Sequence, residues 1–435
     1  MKVSVIGVGY VGLVSGACLA DVGNYVTCVD IDENKISDLS EGKISIHETG
    51  LEEIVATNLL AKRLVFTNNA EHGICGADVI FISVGTPQKA DGSADLGYVL
   101  AAARSIAQWI EDYVVVVTKS TVPVGSCDAV RKEIDSVLAQ RDCSVEFDVV
   151  SNPEFLREGE AIRDFIYPDR IVIGTSNKKS NKILKNLYSP LISKGAKYIN
   201  TSRRAAELIK YASNAFLATK ISYINEIANL CEKTGVNVED VSLGMGLDQR
   251  IGSRFLRPGP AYGGSCFPKD TKALTVTGDL FKTDLSIIKA VIKSNEKRKV
   301  LLTKRVLQIL SNKIKNKKIT FLGVTFKPNT DDMRESSSLL MIPYLLKMGA
   351  IINYFDPSGK KKEFSKLKNV FFCNNIKTAC DRTDLVIIHT EWDEFKALDF
   401  KKLSKRKKFK IYDMRNLYSL GNMKKQGFSY HSLGR

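Results

Sequence analysis

Short apolar runs alternate with longer mixed segments along the first 200 residues of the chain. The runs are rich in valine and isoleucine and lie at residues 2–6, 25–29, 79–84, 113–118 and 148–150. Apolar runs of this length, separated by helical spans, are typical of parallel strands that are buried on both faces. A similar alternation starts near residue 317, with runs at 319–323, 351–356, 384–388 and 409–413. The pattern predicts an α/β fold with two doubly wound parallel sheets.

Between these two regions, residues 201–235 contain no proline and a single glycine at their end. Apolar residues recur there at helical spacing, which predicts one long central helix of about 45–50 Å at 1.5 Å per residue. Lys210 and Asn214 are four residues apart, so they lie on one face of this helix and could direct an ammonium and an amide toward one point. The alternative is a solvent-exposed lysine and an asparagine without a role.

The first strand leads into a glycine turn that opens a second apolar segment. Gly7, Gly9 and Gly12 have the spacing that allows a tight turn, close approach of a pyrophosphate and close packing of helix on strand. The helix N-terminus that follows offers free N–H groups to an anion. Asp30 ends the second predicted strand, where a carboxylate binds the adenosine ribose and repels a 2′-phosphate. The pattern predicts a Rossmann-like domain that binds NAD rather than NADP.

Polar residues follow several of the predicted strands at their carboxyl ends. Thr86, Thr121 and Glu154 come after successive strands of the first sheet, and open α/β sheets bind their ligands at this edge. Each lies within two residues of a proline, so ordinary turn formation is the alternative. Lys327 and Arg334 follow the first strand of the second sheet and are candidate anion contacts. Salt bridges with the neighbouring aspartates are the alternative there.

A candidate nucleophile lies in the segment 263–270, which reads Gly-Gly-Ser-Cys-Phe-Pro-Lys-Asp. Cys266 is placed there in a glycine-lined turn that a substrate can approach closely. A lysine cation nearby can stabilise the thiolate form that acts as the nucleophile. The alternative is a buried cysteine that packs as a small apolar residue.

Composition narrows the class of protein. The chain has 435 residues, 44% hydrophobic and 26% charged, which is ordinary for a globular protein of two or three domains. We expect no membrane segment, since no apolar run approaches about 18 residues. We expect a cytoplasmic protein, because the chain starts directly with a strand. The nine cysteines include no CxxC pair and there are four histidines, so we predict no metal site.

The formal charge of +16 raises the alternative of a basic nucleic-acid-binding protein that retains a dinucleotide fold. The densest basic run is residues 401–410, and no aromatic platform or nucleic-acid motif accompanies it. We therefore predict no nucleic-acid partner and interpret the run as a solvated face. A basic surface also attracts anionic small molecules such as dinucleotides and nucleotide-sugars.

Taken together, these segments resemble one family. The resemblance rests, in chain order, on residues 7–12, 85–87, 120–125 and 152–159, on Lys210 with Asn214, and on residues 262–270 and 326–328. The chain resembles the nucleotide-sugar 6-dehydrogenases, the UDP-glucose/GDP-mannose dehydrogenase family, and residues 267–270 resemble its UDP-glucose branch. The resemblance implies an NAD-binding domain at 1–200, a central helical dimerisation region carrying the cysteine at 201–300, and a UDP-sugar-binding domain at 315–435. It also implies a homodimer.

The resemblance implies a reaction as well: oxidation of the C6 alcohol of UDP-glucose by two NAD to give UDP-glucuronate. Cys266 matches the family nucleophile, which passes through a thiohemiacetal and a thioester. Lys210 and Asn214 match the groups that stabilise oxyanion charge. Asp270 and Thr121 match residues that hold a water or move a proton, and Glu154 matches the carboxylate that activates water. A GDP-mannose or UDP-N-acetylhexosamine 6-dehydrogenase is the alternative within the family.

The resemblance further implies two sets of ligand contacts. Those to NAD, with the glycine turn, are Gly7, Gly9, Tyr10, Val11, Gly12, Asp30, Lys35, Thr86, Thr121, Lys269 and Arg334. Those to the substrate are Glu154, Phe155, Leu156, Arg157, Glu158, Lys210, Asn214, Arg250 of a second subunit, Phe255, Leu256, Arg257, Pro258, Gly259, Gly263 and Lys327. The chain departs from the family at Ala261, where glycine is frequent, and at Ser337-Ser338, where Ser-Pro is more usual.

Overall fold

The computed structural model describes residues 1–404 and 407–435, which form two compact units. The first unit comprises Met1–Ser213 with Val276–Lys282, and the second comprises Asn214–Thr275 with Thr283–Arg435. The three-domain division expected from the sequence stays a prediction. Across the described ranges, no helix combines the length and the apolar character that crossing a membrane requires.

The first unit is built on an eight-stranded sheet. Its strands are β1 Lys2–Ile6, β2 Tyr25–Val29, β3 Leu64–Thr67, β4 Val79–Ile82, β5 Val114–Thr118, β6 Phe147–Ser151, β7 Arg170–Gly174 and β8 Lys197–Thr201. Their order is β3-β2-β1-β4-β5-β6-β7-β8, so the first six follow the doubly wound Rossmann order. The pairing is parallel except between β6 and β7, which meet antiparallel at Ser151 and Gly174.

Helices cover both faces of this sheet because its central strands are apolar throughout. They are α1 Tyr10–Asp21, α2 Glu33–Ser40, α3 Leu51–Leu60, α4 Ala70–Ile74, α5 Gly97–Trp109, α6 Ser126–Gln140, α7 Ala161–Ile166, α8 Lys178–Leu187 and α9 Ser189–Ser193. Along β5, Val115 and Val117 join one core cluster while Val114 and Val116 join another. The alternation places one cluster on each face of the sheet, which explains the unbroken apolar runs.

Helices precede a second sheet in the second unit. These helices are the long α10 Arg203–Thr234, whose start lies in the first unit, α11 Val238–Gly246, α12 Phe267–Leu280, whose end from Val276 lies in the first unit, and α13 Ser286–Ile309. The 32 residues of α10 confirm the long central helix predicted from the sequence.

The second sheet has six strands in the order β11-β10-β9-β12-β13-β14, again the Rossmann order and parallel throughout. Its strands are β9 Lys318–Leu322, β10 Ile351–Phe355, β11 Val370–Phe372, β12 Leu385–Ile388, β13 Lys410–Asp413 and β14 Tyr430–Ser432. Its helices are α14 Ser338–Lys347, α15 Ile376–Cys380, α16 Phe400–Leu403 and α17 Leu420–Lys425, with 3-10 turns at Lys362–Phe364 and Asp393–Phe395. The predicted fold class is thereby confirmed.

Candidate active site

The glycine turn after β1 has the shape that a dinucleotide requires. A Cβ on Gly12 would overlap the carbonyl oxygen of Gly7, whereas a Cβ on Gly9 would meet nothing within 4 Å. The backbone at Gly9 is therefore open to a ligand, while Gly12 permits the close packing of α1. Gly9 is also the N-cap of α1 and places no side chain over the free N–H groups of the helix. These residues fit the pyrophosphate of a dinucleotide.

Asp30, directly after β2, is held beside this turn. Its Oδ2 accepts hydrogen bonds from the Val8 N–H at 2.7 Å and from the Lys35 ammonium at 3.1 Å, and its Oδ1 accepts from the Asp32 N–H at 3.1 Å. Burial alone would raise the pKa of Asp30, but these donors hold it below its ordinary value. Asp30 is thus a fixed anion at neutral pH, as discrimination against a 2′-phosphate requires.

Tyr10 does more than extend the glycine turn, because its hydroxyl links α1 to a distant segment. The hydroxyl donates to the carboxylate of Glu48 and accepts from the Gly159 N–H at 2.9 Å. Glu48 also accepts from the N–H groups of Gly159 at 2.7 Å and Ala161 at 2.9 Å, at the start of α7. Sequence reasoning missed Glu48, since 111 residues separate it from Gly159.

The loops that follow β4 and β5 are joined at the carboxyl edge of the first sheet. The Thr86 hydroxyl donates to the Thr121 carbonyl at 2.9 Å. Farther along the second loop, Glu207 of α10 accepts from the N–H groups of Gly125 at 2.7 Å and Cys127 at 2.8 Å, at the start of α6. Burial raises the pKa of Glu207 despite these donors. Glu207 therefore fixes the first turns of α10 to the β5–α6 loop.

Glu154 and Lys210 form a buried ion pair at the same edge. Their Oε1 and Nζ atoms are 2.9 Å apart, and their side chains are 6% and 4% exposed. The second carboxylate oxygen of Glu154 accepts from the Leu156 N–H at 2.6 Å. Burial opposes ionisation of Glu154, but the Lys210 charge and these hydrogen bonds hold its pKa below the ordinary value. The alternative of a solvent-exposed Lys210 is wrong.

The segment that carries Cys266 lies in the second unit. Gly264 has a φ of +82°, and a Cβ there would come within 2.6 Å of the Phe326 ring, so only glycine fits. Its N–H donates to the Arg334 carbonyl at 2.8 Å. Cys266 directly precedes α12, and its carbonyl accepts the Asp270 N–H at 2.8 Å as the first bond of that helix. A helix N-terminus favours the thiolate.

Accessibility separates Cys266 from most of the other cysteines. Cys266 is partly exposed, whereas Cys18 and Cys28 are fully buried and burial raises the pKa of each thiol to about 12. The Ser265 hydroxyl lies 3.5 Å from the Cys266 sulfur. The alternative of a buried, apolar Cys266 does not describe this position.

Asp270, one turn into α12, connects this segment to α10. Its Oδ2 accepts from the Asn214 amide at 2.6 Å, and its Oδ1 accepts from the Lys269 ammonium at 2.7 Å. Asp270 and Asn214 are both buried. The amide of Asn214 is therefore oriented by a carboxylate and is not a passive helix residue.

The predicted substrate loop at 255–259 is held by residues that sequence reasoning missed. The Gly259 N–H donates to Asn225 Oδ1 at 2.8 Å, and its carbonyl accepts from Arg298 at 3.2 Å. Phe255 has a φ of +65° and Ala261 a φ of +119°, which are strained values for residues other than glycine. Asn225 and Arg298 lie on long helices, where a buried polar side chain would have indicated a structural role. A single sequence does not show which side chains are buried, so these two residues were not recognised.

Ser337, one of the departures from the family pattern, has a defined partner. Its hydroxyl lies 2.8 Å from Nε2 of the buried His389. Burial, helped by the Arg415 cation, lowers the pKa of His389 to about 3, so the ring is neutral. Arg415 in turn donates to the Phe326 carbonyl at 2.9 Å. These contacts order the segment that precedes Lys327 and the one that follows Arg334.

Several predicted ligand contacts are paired with neighbouring acids. Arg157 pairs with Asp164 at 2.6 Å, Arg250 with Asp248 at 2.6 Å and Arg334 with Asp332 at 2.8 Å. For Arg334 this is the salt bridge considered as the alternative. The Lys327 ammonium stands 5.5 Å from the centroid of the Phe326 ring.

The predicted site residues divide between the two units. The first unit holds Gly7 to Gly12, Asp30, Lys35, Thr86, Thr121, Glu154 to Glu158 and Lys210, and the second holds Asn214, Arg250, Phe255 to Gly259, Gly263, Cys266, Lys269, Asp270, Lys327 and Arg334. Within the described ranges, no cluster of three His, Cys, Asp or Glu side chains could hold a metal. Of the basic run, Lys407 pairs with Asp384 at 2.9 Å, and Lys405 and Arg406 lie outside the described residues.

Comparison with known proteins gives matches along most of the chain. Residues 1–192, 204–297 and 320–420 match the NAD binding, central and UDP binding domains of the UDP-glucose/GDP-mannose dehydrogenase family. The chain is 47% identical over 439 residues to the UDP-glucose 6-dehydrogenase of Rhizobium meliloti, covering 100% of both chains. It is 45% identical to UDP-glucose 6-dehydrogenase TuaD of Bacillus subtilis, covering 100% of this chain and 93% of that one.

A solved structure agrees with these matches. A UDP-glucose dehydrogenase from the hyperthermophilic archaeon Pyrobaculum islandicum superposes with a TM-score of 0.90 and 36% sequence identity. The match covers 99% of this chain and 96% of that one. It therefore extends over both Rossmann-like sheets and the long helix.

Proposed function

The chain belongs to the UDP-glucose/GDP-mannose dehydrogenase family, and on that basis we propose that it oxidises C6 of UDP-glucose to a carboxylate, giving UDP-glucuronate. The relatives named above support UDP-glucose as the substrate. NAD is the cofactor, in keeping with the family's NAD binding domain at residues 1–192. The observation that carries the proposal is Cys266 at the N-terminus of α12 in its glycine-lined turn.

When bound, NAD accepts the hydride in each of two oxidations, so UDP-glucose, two NAD⁺ and one water give UDP-glucuronate, two NADH and three protons. The chain's own residues would hold the cofactor: the Gly7–Gly12 turn and the N-terminus of α1 would bind the pyrophosphate, and Asp30 would bind the ribose hydroxyls. Thr86, Thr121, Lys269 and Arg334 are proposed as further contacts.

Cys266 acts on the aldehyde left by the first oxidation. Its thiolate adds to the C6 carbonyl, forming a C–S bond and moving one carbonyl electron pair onto oxygen. Loss of the remaining C6 hydrogen as hydride converts this thiohemiacetal into a thioester. Water then adds to the thioester carbon, the C–S bond breaks and the thiolate leaves, so Cys266 is regenerated.

The buried polar groups are assigned to charge and proton handling. Lys210 and Asn214 stabilise the oxyanion, a role for which a fixed cation and an oriented amide are suited. Glu154, held as a carboxylate, activates the water that cleaves the thioester. Asp270 and Thr121 hold a water or move the proton of the C6 hydroxyl.

The remaining substrate contacts follow the same family assignment. The segments 154–158 and 255–259, Gly263 and Lys327 bind the UDP-sugar. The substrate loop is pre-ordered by the hydrogen bonds at Gly259, which limits the entropy lost on binding.

We propose that the enzyme is a cytoplasmic homodimer. Phe216, Tyr223 and Leu230 recur every seven residues on α10 and are 64%, 48% and 58% exposed. An exposed apolar stripe of this kind on a long helix is suited to packing against a second copy of itself. Light scattering of the purified protein tests the dimer.

Substitution of the cysteine tests the proposed chemistry. Cys266→Ala is expected to retain its fold and its NADH binding but to form no UDP-glucuronate. Cys266→Ser is expected to accumulate an ester, visible in the intact mass of the denatured protein as one added UDP-glucuronosyl group. Cys143→Ala removes another partly exposed thiol and serves as the control with wild-type activity. Full acid production by Cys266→Ala would exclude the covalent role.

A further inference from the structure

A second lysine is buried beside the Glu154–Lys210 pair and has no role in the function proposed above. Lys119 directly follows β5 and is 5% exposed. Its ammonium donates to Asn152 Oδ1 at 3.2 Å and stands 5.9 Å from the centroid of the Phe81 ring. Among the described residues, no carboxylate oxygen lies within ion-pair distance of this ammonium. A lysine in such a position destabilises the fold, because its charge is removed from water and no counter-ion contacts it.

The partner of Lys119 is itself held rigidly. Asn152 Oδ1 also accepts from the Tyr188 hydroxyl at 2.6 Å, and its Nδ2 donates to the Val172 carbonyl at 2.9 Å. Burial raises the pKa of Tyr188, so its hydroxyl stays neutral. The network therefore holds the Lys119 ammonium in one defined position. An apolar side chain in the core would need no such network.

Charge counting shows what this lysine adds. Glu154 and Lys210, 2.9 Å apart and both buried, cancel each other's charge. Lys119 is within their electrostatic field: burial lowers its pKa to about 8, Glu154 opposes that change and Lys210 adds to it. The ammonium in turn contributes to the low pKa of Glu154. With Lys119 protonated, the cluster carries one net positive charge; with Lys119 neutral, it carries none.

We propose that Lys119 is a positioning residue for the reaction: it supplies the net positive charge that lets Lys210, already neutralised by Glu154, stabilise the oxyanion. The inference rests on the proposed function, in which Lys210 contacts that oxyanion. A charge that forms only in the transition state affects kcat more than KM. The titration of Lys119 therefore determines how far kcat depends on this residue at each pH.

The test compares kcat of the wild-type enzyme and Lys119→Met from pH 6.5 to 9.5, with UDP-glucose and NAD saturating. Met has a similar length without charge, and thermal unfolding checks that the variant is folded. The ratio of the two kcat values cancels titrations that both enzymes share. We expect a ratio of about ten at pH 7 that falls toward one above pH 8, as Lys119 in the wild type loses its proton.

Two further variants sharpen the comparison. Lys119→Arg keeps a charge that does not titrate in this range, so its kcat relative to Lys119→Met is expected to stay high at pH 9.5. Lys179→Met removes an exposed lysine from the same unit and is expected to give a ratio near one at every pH. If Lys119→Arg fails to fold, the wild-type to Lys119→Met ratio still decides the matter.

A ratio that is large but independent of pH would indicate a structural role and would overturn the proposal, as would a ratio of one throughout. Glu154→Gln and Lys210→Met, measured in parallel, separate this failure from a failure of the proposed function. Loss of activity in both, together with a pH-independent Lys119 ratio, overturns only the role of Lys119. Wild-type activity in both variants overturns the roles assigned to Glu154 and Lys210. It then also overturns the role of Lys119, since no net positive charge would be needed beside them.

Discussion

Breaking the buried Glu154–Lys210 pair is expected to destabilise the first unit by an amount that depends on which partner is removed. At 2.9 Å and an effective dielectric constant of about 20, the Coulomb attraction is about 6 kcal/mol before desolvation is subtracted. Removing one partner of such a pair costs about 3–5 kcal/mol, because the other charge is left buried. Glu154→Gln leaves two ammonium groups, those of Lys119 and Lys210, without a carboxylate. Lys210→Met leaves Glu154 with the field of Lys119.

We therefore expect Glu154→Gln to cost about 4 kcal/mol and Lys210→Met about 2 kcal/mol. The double variant is expected to cost no more than about 2 kcal/mol, since it removes the charge pair as a whole. Calorimetry would show these values as shifts in the unfolding temperature, about 2–4 °C per kcal/mol for a unit of this size.

The pH dependence of Glu154→Gln provides a second measurement. The folded-state pKa of Lys119 lies below its unfolded value, so the unfolded chain binds more protons between about pH 8 and 10.5. Stability of Glu154→Gln should accordingly rise with pH across that window relative to the same variant with Lys119→Met added, which lacks the titrating amine. The reasoning would be refuted if Glu154→Gln and Lys210→Met cost equal stability, or if the Glu154→Gln/Lys210→Met variant cost as much as the two single variants together.

Two other substitutions test local features. Ala261→Gly is expected to raise the unfolding temperature, because relief of the strained φ of +119° outweighs the added backbone freedom by about 1 kcal/mol; an unchanged or lower value would count against strain at this position. Asp30→Ser removes the fixed anion after β2 and is expected to shift the ratio of kcat/KM for NADP over NAD upward by about tenfold or more; a ratio equal to that of the wild type would mean that the carboxylate does not face the ribose.

The sheets were readable from the sequence because their central strands are buried on both faces. β5 is four valines and a threonine, so its apolar run could be recognised without knowing its neighbours. β8, Lys197–Thr201, lies at the end of the first sheet and has mostly exposed or partly exposed side chains, so its pattern gave no such signal. The antiparallel contact between β6 and β7 depends on the connection between them and was not predicted.

The candidate site was predictable where motifs are local and not where contacts are distant in sequence. The glycine turn, Asp30 and the segment around Cys266 were each recognised from residues that are close to them in sequence. The partner of Lys119 is 33 residues away, and Lys210 pairs with Glu154 across 56 residues. Burial and long-range pairing, which hold these two ammonium groups in place, are properties of the folded chain.

The central claim is a four-electron oxidation of UDP-glucose, and counting NADH tests it most directly. Purified protein is incubated with a limiting amount of UDP-glucose and excess NAD, and absorbance at 340 nm is followed to completion, with GDP-mannose in a parallel reaction. Two NADH per UDP-glucose, and none from GDP-mannose, is the predicted result. One NADH per sugar would contradict oxidation to the acid, and turnover of GDP-mannose alone would contradict the assigned substrate.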